Sequence, residues 1–510
     1  MGNLYQVFEE SGLQYSDHTA LTFNQNHVSY STLIDAAGRL ATGLQRLGLQ
    51  KGERIAVMLP NIPHYPMAFL ACLKLGIVLV PVPVASMSPE IHILLEDSEV
   101  SGILFWEGYR DKVVEAVRDL EHCKHMLVLG ERAGPNETRV NYLMETSEPS
   151  AENVEVDDDW TAVVMYTAGT TGTAKGAELS HGNIRSSVEI LASFLKIGPD
   201  DSVPAILPFS QALGQTLVMG TFLKVGARLV LHPYFDAGGW IRILEQERCT
   251  CFIGVPAMFQ EILEISGEKS TFFQSVRLCL SSGDSLKQEV LELFESRFKT
   301  AVLEGYGLTE ACSLVTLNST NRERKAGSIG LTLPGIDLKI VDESGEEIRA
   351  GQIGEILVRG PNVMKGYLNR PAATEKTLRD GWLHTGDLAL LHEDGYAAVV
   401  VRKKAVIIKS GFSVYPREVE KFIAGHPGVS DVAVVGLPDK IYGEEIYACV
   451  IPRNGEDITE KEIIEYARER IAAYKCPKKV HFCETLPRGP NGRIQRERVK
   501  NLLMNVYRKH

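Results

Sequence analysis

Short apolar runs bounded by Gly, Pro or charged residues alternate with longer helical patterns along most of the chain. The run from Arg54 to Pro60 reads as a buried strand, Pro66 to Leu75 as a helix, and Gly76 to Val82 as another strand. A helix is predicted over Ile91 to Ser98 and a strand over Gly102 to Phe105. The rhythm returns at Ala162 to Tyr166, at Ala227 to Leu231 after a helix predicted over Leu213 to Val225, and at Arg277 to Leu280. Such alternation predicts parallel sheets covered by helices. Between about 326 and 360 the texture changes. Short strands, Leu338 to Val341 and Gly354 to Arg359, sit between Gly and Pro turns and predict a small antiparallel or barrel-like subdomain. Beyond residue 401 a helix (Pro416 to His426), two strands (Val429 to Leu437 and Glu444 to Ile451) and a helix (Thr459 to Ala473) form an α+β unit. At about 110 residues, that is the size of a separate small domain. The expected fold class is α/β. A large N-terminal domain over 1–401, with parallel-rich sheets covered by helices and a small β subdomain, precedes a small α+β C-terminal domain over 402–510.

Composition agrees with this picture and narrows the function. A chain of 510 residues exceeds what one hydrophobic core supports. The formal charge of −11 argues against a nucleic-acid partner, and leaves room for an anionic ligand only if basic residues are gathered at one site. The nine cysteines are scattered, and the one tight pair, Cys249 and Cys251, reads as buried thiols. No disulfide framework is implied, which suits a reducing compartment. The first ten residues lack a basic stretch followed by an apolar run, so a secretory signal is not expected. Gln6 stands where myristoylation wants Ser or Thr. The most apolar stretch, Pro66 to Val84, contains Lys74, Gly76, Pro81 and Pro83, so no integral membrane segment is expected. A cytoplasmic protein, monomeric or homodimeric, is the expectation.

The stretch from Tyr166 to His181 carries the first chemistry. The strand Ala162 to Tyr166 runs into a loop of Thr and Gly, with a helix predicted from about His181. Glycines such as Gly169 and Gly172 let backbone N–H groups approach phosphate oxygens. The hydroxyls of Thr167, Thr170, Thr171 and Thr173 add donors, and Lys175 adds a full positive charge. The loop is not of the Walker type, because Gly176 follows Lys175 where Ser or Thr would be needed. It closely resembles the phosphate loop of the adenylate-forming superfamily, which includes acyl-CoA synthetases, luciferases and peptide-synthetase adenylation domains. The resemblance then runs motif by motif, in the family's order, over nearly the whole chain.

The segment Glu304 to Glu310 resembles the family's adenine-and-magnesium motif. Tyr306 can stack on a purine, and Gly305 and Gly307 let it lie flat against the backbone. Thr309 can donate to the α-phosphate, and Glu310 can hold Mg²⁺ bridging phosphates. Ser281 to Leu286, with Gly283, stands where the family lines the adenine. Asp284 departs there from the usual small residue, and can accept a hydrogen bond from the adenine amino group or from the backbone. Trp382 to Ala389 resembles the ribose motif, which implies Asp387 as acceptor of both ribose hydroxyls and Arg402 as a second ribose contact. The segment Arg402 to Glu420 resembles the domain boundary. It implies Lys404 as the hinge on which the C-terminal domain rotates, one orientation making the adenylate and the other the thioester. Gly411 matches the glycine that lets the pantetheine arm of coenzyme A pass close to backbone, with Lys409 and Ser410 beside it.

Two positions depart from the family in ways that bear on chemistry. In Leu486 to Arg496 the family's active-site Lys is replaced by Arg493, which keeps the charge but is longer and planar. Slower or differently balanced adenylation is expected from it. In Leu207 to Gly214, Gln211 stands where many relatives carry His, and it can hydrogen-bond but not ionise. The resemblance implies that ATP, Mg²⁺ and coenzyme A are used, with Lys175, Thr309, Glu310 and Arg493 catalytic. The acid would sit among Phe209, Gln211, Trp240, Gly254, Met258, Ala311 and Leu314, which are mainly small or apolar and suit a hydrophobic acid. The leading expectation is a fatty-acid–CoA ligase. The alternatives are an acyl-AMP ligase serving a carrier protein, a ligase running mainly in the ATP-forming direction, and a nucleotide- or acyl-CoA-binding homologue without catalysis.

Overall fold

The computed structural model describes residues 2–167, 174–233, 236–267, 271–319, 324–402, 406–453, 458–487 and 494–507, the side chains of 237 and 400–402 excepted. An eight-stranded sheet dominates the N-terminal domain. Its strands Thr161–Thr167, Val78–Pro81, Arg54–Met58, Gly102–Trp106, His125–Leu129 and Glu137–Arg139 lie side by side and parallel. Alternate residues of one strand enter different cores: Ile55 and Val57 face one, Ala56 and Met58 the other. A strand buried on both faces must be apolar throughout, which is why these runs show no polar alternation. The helix His64–Leu75 is buried from Tyr65 to Leu75 and ends on Gly76, whose φ of +64° is the left-handed cap that glycine adopts without strain.

A second sheet places Cys251–Gly254, Leu278–Ser282 and Val302–Leu308 in parallel, then Ser313–Leu317 and Leu331–Thr332 antiparallel. Three chemical motifs sit at the carboxyl ends of parallel strands of the two sheets: Thr167, Gly283 and Thr309. That is where α/β folds bind ligands. A third sheet pairs Ser202–Ala205, Arg228–Leu231 and Thr19–Phe23 in parallel, with Asn26–Ser29 at its edge.

The expectations need three corrections. The Thr/Gly loop does not run directly into the helix His181–Leu195. A further strand, Lys175–Ser180, folds back antiparallel on Thr161–Thr167 and precedes that helix. The segment expected as a helix over 213–225 is a π-helix over Leu213–Gly220 followed by a short α-helix, Thr221–Lys224. The antiparallel subdomain extends well past 360, because Ile353–Arg359 pairs with Trp382–Leu391, and that strand with Ala397–Arg402.

The C-terminal domain is built on strands Phe412–Val414, Ile407–Lys409, Gly443–Pro452, Val429–Asp439 and Lys479–Phe482. One sheet face packs on the helices Pro416–Ala424 and Glu460–Arg468, the other on Arg496–Tyr507. Thr459 is not in the second helix but caps it, exchanging hydrogen bonds with Glu462. Cys249 and Cys251 are buried, as expected. Among the described residues, no helix is long and apolar enough to cross a membrane.

Candidate active site

The hairpin Thr161–Thr167/Lys175–Ser180 sets Thr167 opposite Lys175. Gly169, Thr170, Thr171 and Gly172, which stand between them in the sequence, lie outside the described residues, as do Lys404 and Arg493. Gly176 has no room for a side chain, since a Cβ would lie 2.5 Å from Val164 Cγ1. Thr167 and Tyr367 meet Glu310, and Lys175 lies over the Tyr367 ring. The Thr167 hydroxyl lies 3.5 Å from Glu310 Oε1, which also accepts the Tyr367 hydroxyl at 2.8 Å. Lys175 Nζ sits 5.0 Å above the Tyr367 ring. Burial first, and then the charge of Glu310, push the Tyr367 hydroxyl well above its ordinary range, so it is a neutral donor. Tyr367 was not anticipated from the sequence. Its strand, Gly366–Tyr367, adds to Lys175–Ser180 and thereby delivers the hydroxyl to Glu310. Glu310 itself lies in the 3₁₀ turn Thr309–Ala311 that ends the strand Val302–Leu308.

A cleft of about 580 Å³ opens beside this cluster, lined by Gly283, Asp284, Glu304, Gly305, Tyr306, Gly307 and, from the C-terminal domain, Ile408. The Tyr306 hydroxyl donates to Asp387 Oδ2 at 2.7 Å, joining the expected adenine and ribose residues. Asp387 pairs directly with Arg402 across antiparallel strands, which brings the two expected ribose residues to one position of the sheet. Gly305 and Gly307 are required by the strand behind them: a Cβ on Gly307 would lie 1.7 Å from the Ser313 carbonyl oxygen, and one on Gly305 2.8 Å from Leu317. Asp284 Oδ1 accepts the Ser285 N–H at 2.8 Å. Glu304 is buried in the cleft wall, and burial raises its carboxyl above the usual range even though Gly327 N–H donates to it at 3.0 Å.

The C-terminal domain presents the hairpin between Ile407–Lys409 and Phe412–Val414 to the same region. Ser410 and Gly411 both have positive φ, +52° and +80°. A Cβ on Gly411 would lie 2.7 Å from Val255 of the N-terminal domain. Between the domains lies a second cleft, of about 390 Å³, with Pro256, Asp284, Lys287, Ser410, Gly411 and Tyr442 in its wall. Lys409 stands beside it in an ion pair with Glu445.

The residues expected to hold the acid divide by environment. Gly254 and Met258 adjoin, a Gly254 Cβ being 3.3 Å from Met258 Sδ. Gly283 in turn adjoins Val255 and Leu213, so these residues form a path toward the cleft at Tyr306. Phe209, Ala311 and Leu314 are buried in the main core. The backbone of Phe209 is held by Asn61 and Tyr65. Gln211 is partly exposed at the start of the π-helix and accepts the Gln215 N–H at 2.8 Å through its carbonyl. Trp240 is fully buried in a separate aromatic core with Phe252 and Phe259, edge-on to His232. Met258 touches both cores.

Residues 8–368 match the family model of the AMP-binding enzyme, and residues 418–493 that of the AMP-binding enzyme C-terminal domain. The chain is 33% identical to a long-chain-fatty-acid–CoA ligase of Yersinia pestis, covering 98% of this chain and 94% of that one. It is 35% identical to a feruloyl-CoA synthase of an Amycolatopsis species, covering 94% and 95%. Its structure superposes on a double mutant of o-succinylbenzoate CoA synthetase from Bacillus subtilis, bound to the product analogue OSB-NCoA, with a TM-score of 0.87 at 29% identity, covering 98% of each chain. On ATP-bound MatB from Rhodopseudomonas palustris the TM-score is 0.74 at 29% identity, covering 99% and 100%. With both family models matched in order and near-complete coverage by CoA ligases, the chain belongs to the AMP-binding enzymes and is an AMP-forming acid–CoA ligase.

Proposed function

We propose that this ligase activates a hydrophobic acid of fatty-acid type. The observation that carries the reading is that Thr167 and Tyr367 meet at Glu310, with Lys175 over the Tyr367 ring, beside the cleft where Tyr306 meets Asp387. The acid carboxylate attacks the α-phosphate of ATP, pyrophosphate leaves, and an acyl-adenylate forms. Coenzyme A thiolate then attacks the mixed anhydride and AMP leaves. The 169–172 turn, Thr167 and Lys175 hold the phosphates, with Thr309 on the α-phosphate. Arg493 approaches from the C-terminal domain and neutralises charge that grows in the transition state. Tyr306, Gly283 and Asp284 hold the adenine, and Asp387 and Arg402 the ribose. Glu310 fits Mg²⁺, because that ion binds through one or two carboxylates together with substrate phosphates, and Thr167 and Tyr367 orient the carboxylate. The ion supplies charge neutralisation across the phosphates.

The acyl chain would run along Gly254, Met258 and Gly283, whose small or flexible side chains leave a narrow apolar path. Rotation at Lys404, two residues after Arg402, would exchange the half-reactions. The arrangement described above is the one we assign to thioester formation, because Ser410 and Gly411 line the inter-domain cleft.

The test is AMP release with ATP, coenzyme A and a panel of octanoate, dodecanoate, hexadecanoate and ferulate. Turnover on an aliphatic acid, with thioester formed, supports the reading. A clear preference for ferulate replaces it with an aromatic acid, the reading that the feruloyl-CoA relative favours. Accumulation of acyl-AMP without thioester in the presence of coenzyme A contradicts the acceptor.

A further inference from the structure

Where the domains meet, a carboxylate of the N-terminal domain grips the C-terminal one. Glu90 lies in the first turn of the helix Ser88–Ser98. Its Oε1 accepts a hydrogen bond from Lys475 Nζ at 2.6 Å and its Oε2 one from the Ala472 N–H at 2.8 Å. Lys475 donates also to Glu418, at 2.6 Å, within its own domain. The side chains of Lys475, Glu90 and Glu418 are only 12%, 7% and 14% exposed. Burial works against the Lys475 ammonium, but Tyr474, Glu418 and Glu90 around it outweigh that and hold it above its usual range. A further inter-domain contact, Lys287 Nζ to the Lys440 carbonyl at 3.3 Å, is exposed and long.

The gripped segment leads to the site. Tyr474 stacks on Phe412, ring centres 4.4 Å apart, and Phe412 adjoins Gly411. Glu418 makes the contact reversible. When the domains part, Lys475 keeps a counter-charge in Glu418 and Glu90 returns to water, so no buried charge is stranded. A pair that can open this way biases an orientation instead of welding it.

We propose that Glu90 is a positioning residue for thioester formation, which by holding Lys475 and the Ala472 amide sets, through Tyr474 and Phe412, the Ser410–Gly411 hairpin over the nucleotide cleft. The inference rests on the assignment of this domain arrangement to the second half-reaction. The informative variant is Glu90→Gln, since Glu90 Oε2 also accepts the Met87 N–H at 3.0 Å and an amide keeps that helix cap.

Three measurements on the full chain decide it. Without substrate, hydrogen exchange at the Ala472 amide is faster in Glu90→Ala than in the wild type; unchanged exchange overturns the contact. With dodecanoyl-AMP and coenzyme A, the single-turnover rate of thioester formation falls about tenfold or more in Glu90→Gln, while pyrophosphate exchange with dodecanoate stays within about twofold of wild type. Equal losses in both half-reactions, or none in either, overturn the positioning role. Lys475→Met combined with Glu90→Gln is no slower than the worse single variant if they act as one unit; additive losses count against it. A wild type that ignores dodecanoyl-AMP refutes the fatty-acid reading instead, and feruloyl-AMP then serves in the same assay.

Discussion

Gly307 and Tyr367 show how differently two residues of one site depend on their surroundings. Gly307 passes the Ser313 carbonyl so closely that a Cβ would sit 1.7 Å from its oxygen. Gly307→Ala must displace backbone, and is expected to lower stability by about 3 kcal/mol, read as a fall in the thermal unfolding midpoint. Tyr367→Phe keeps the packing and removes the hydroxyl that orients Glu310. A hydrogen bond to a charged group contributes about 1.5–3 kcal/mol to the fold, so the unfolding midpoint should fall, and pyrophosphate exchange measured well below it should drop by roughly tenfold or more. The first residue was legible in the sequence as one of a Gly-Tyr-Gly turn, although its reason lies in a neighbouring strand and not only in how Tyr306 lies. The second was not legible, because its partner is 57 positions away. Nothing near Tyr367 in the sequence marks it as other than a core aromatic residue.

At the level of elements, the capped start of the helix His181–Leu195 carries a pH dependence. Ser180 and Asn183 exchange hydrogen bonds there, and His181 Nδ1 accepts the Leu4 N–H at 2.9 Å. The ring is therefore neutral in the fold. Burial first, and then Arg185, lower its pKa from 6.5 to about 4. A depressed folded pKa means that the unfolded chain binds the proton more readily. The stability contributed by the neutral ring is full above the unfolded pKa of about 6.5 and is lost as pH falls toward 4, up to about 3 kcal/mol. Denaturant titrations of wild type and His181→Gln across that window should show the variant losing less stability; parallel losses would clear His181 of the role. The helix start was legible from its position after the loop. The strand Lys175–Ser180 before it was not, because its residues have little intrinsic β preference and are held by partners on both sides. The π-helix was hidden likewise: Gly214 passes so near the Pro208 carbonyl that a Cβ would lie 2.1 Å from it, a constraint of packing and not of propensity.

For the whole molecule, the arrangement of domains separates two sets of residues. Ser410 and Gly411 line the inter-domain cleft, while Arg496 and Lys500 of the helix Arg496–Tyr507 engage their own domain, through Glu420 and Glu444. Under the proposed function, Arg493 serves adenylation and not thioester formation. Arg493→Ala is expected to lower pyrophosphate exchange by about 10²–10³ and leave thioester formation from preformed acyl-AMP unchanged, and Arg493→Lys to raise exchange above wild type. Stopped assays of each half-reaction read both effects. The sequence by itself determined the α/β class, the order of motifs and the family, because phosphate-binding turns and buried strands need particular residue types at short spacing. Only the tertiary structure decided that Tyr367 meets Glu310, that Tyr306 meets Asp387, and that Glu90 meets Lys475 across the domains. Those contacts join positions far apart in the chain, and each is chosen by burial and charge that exist only once the sheets have packed.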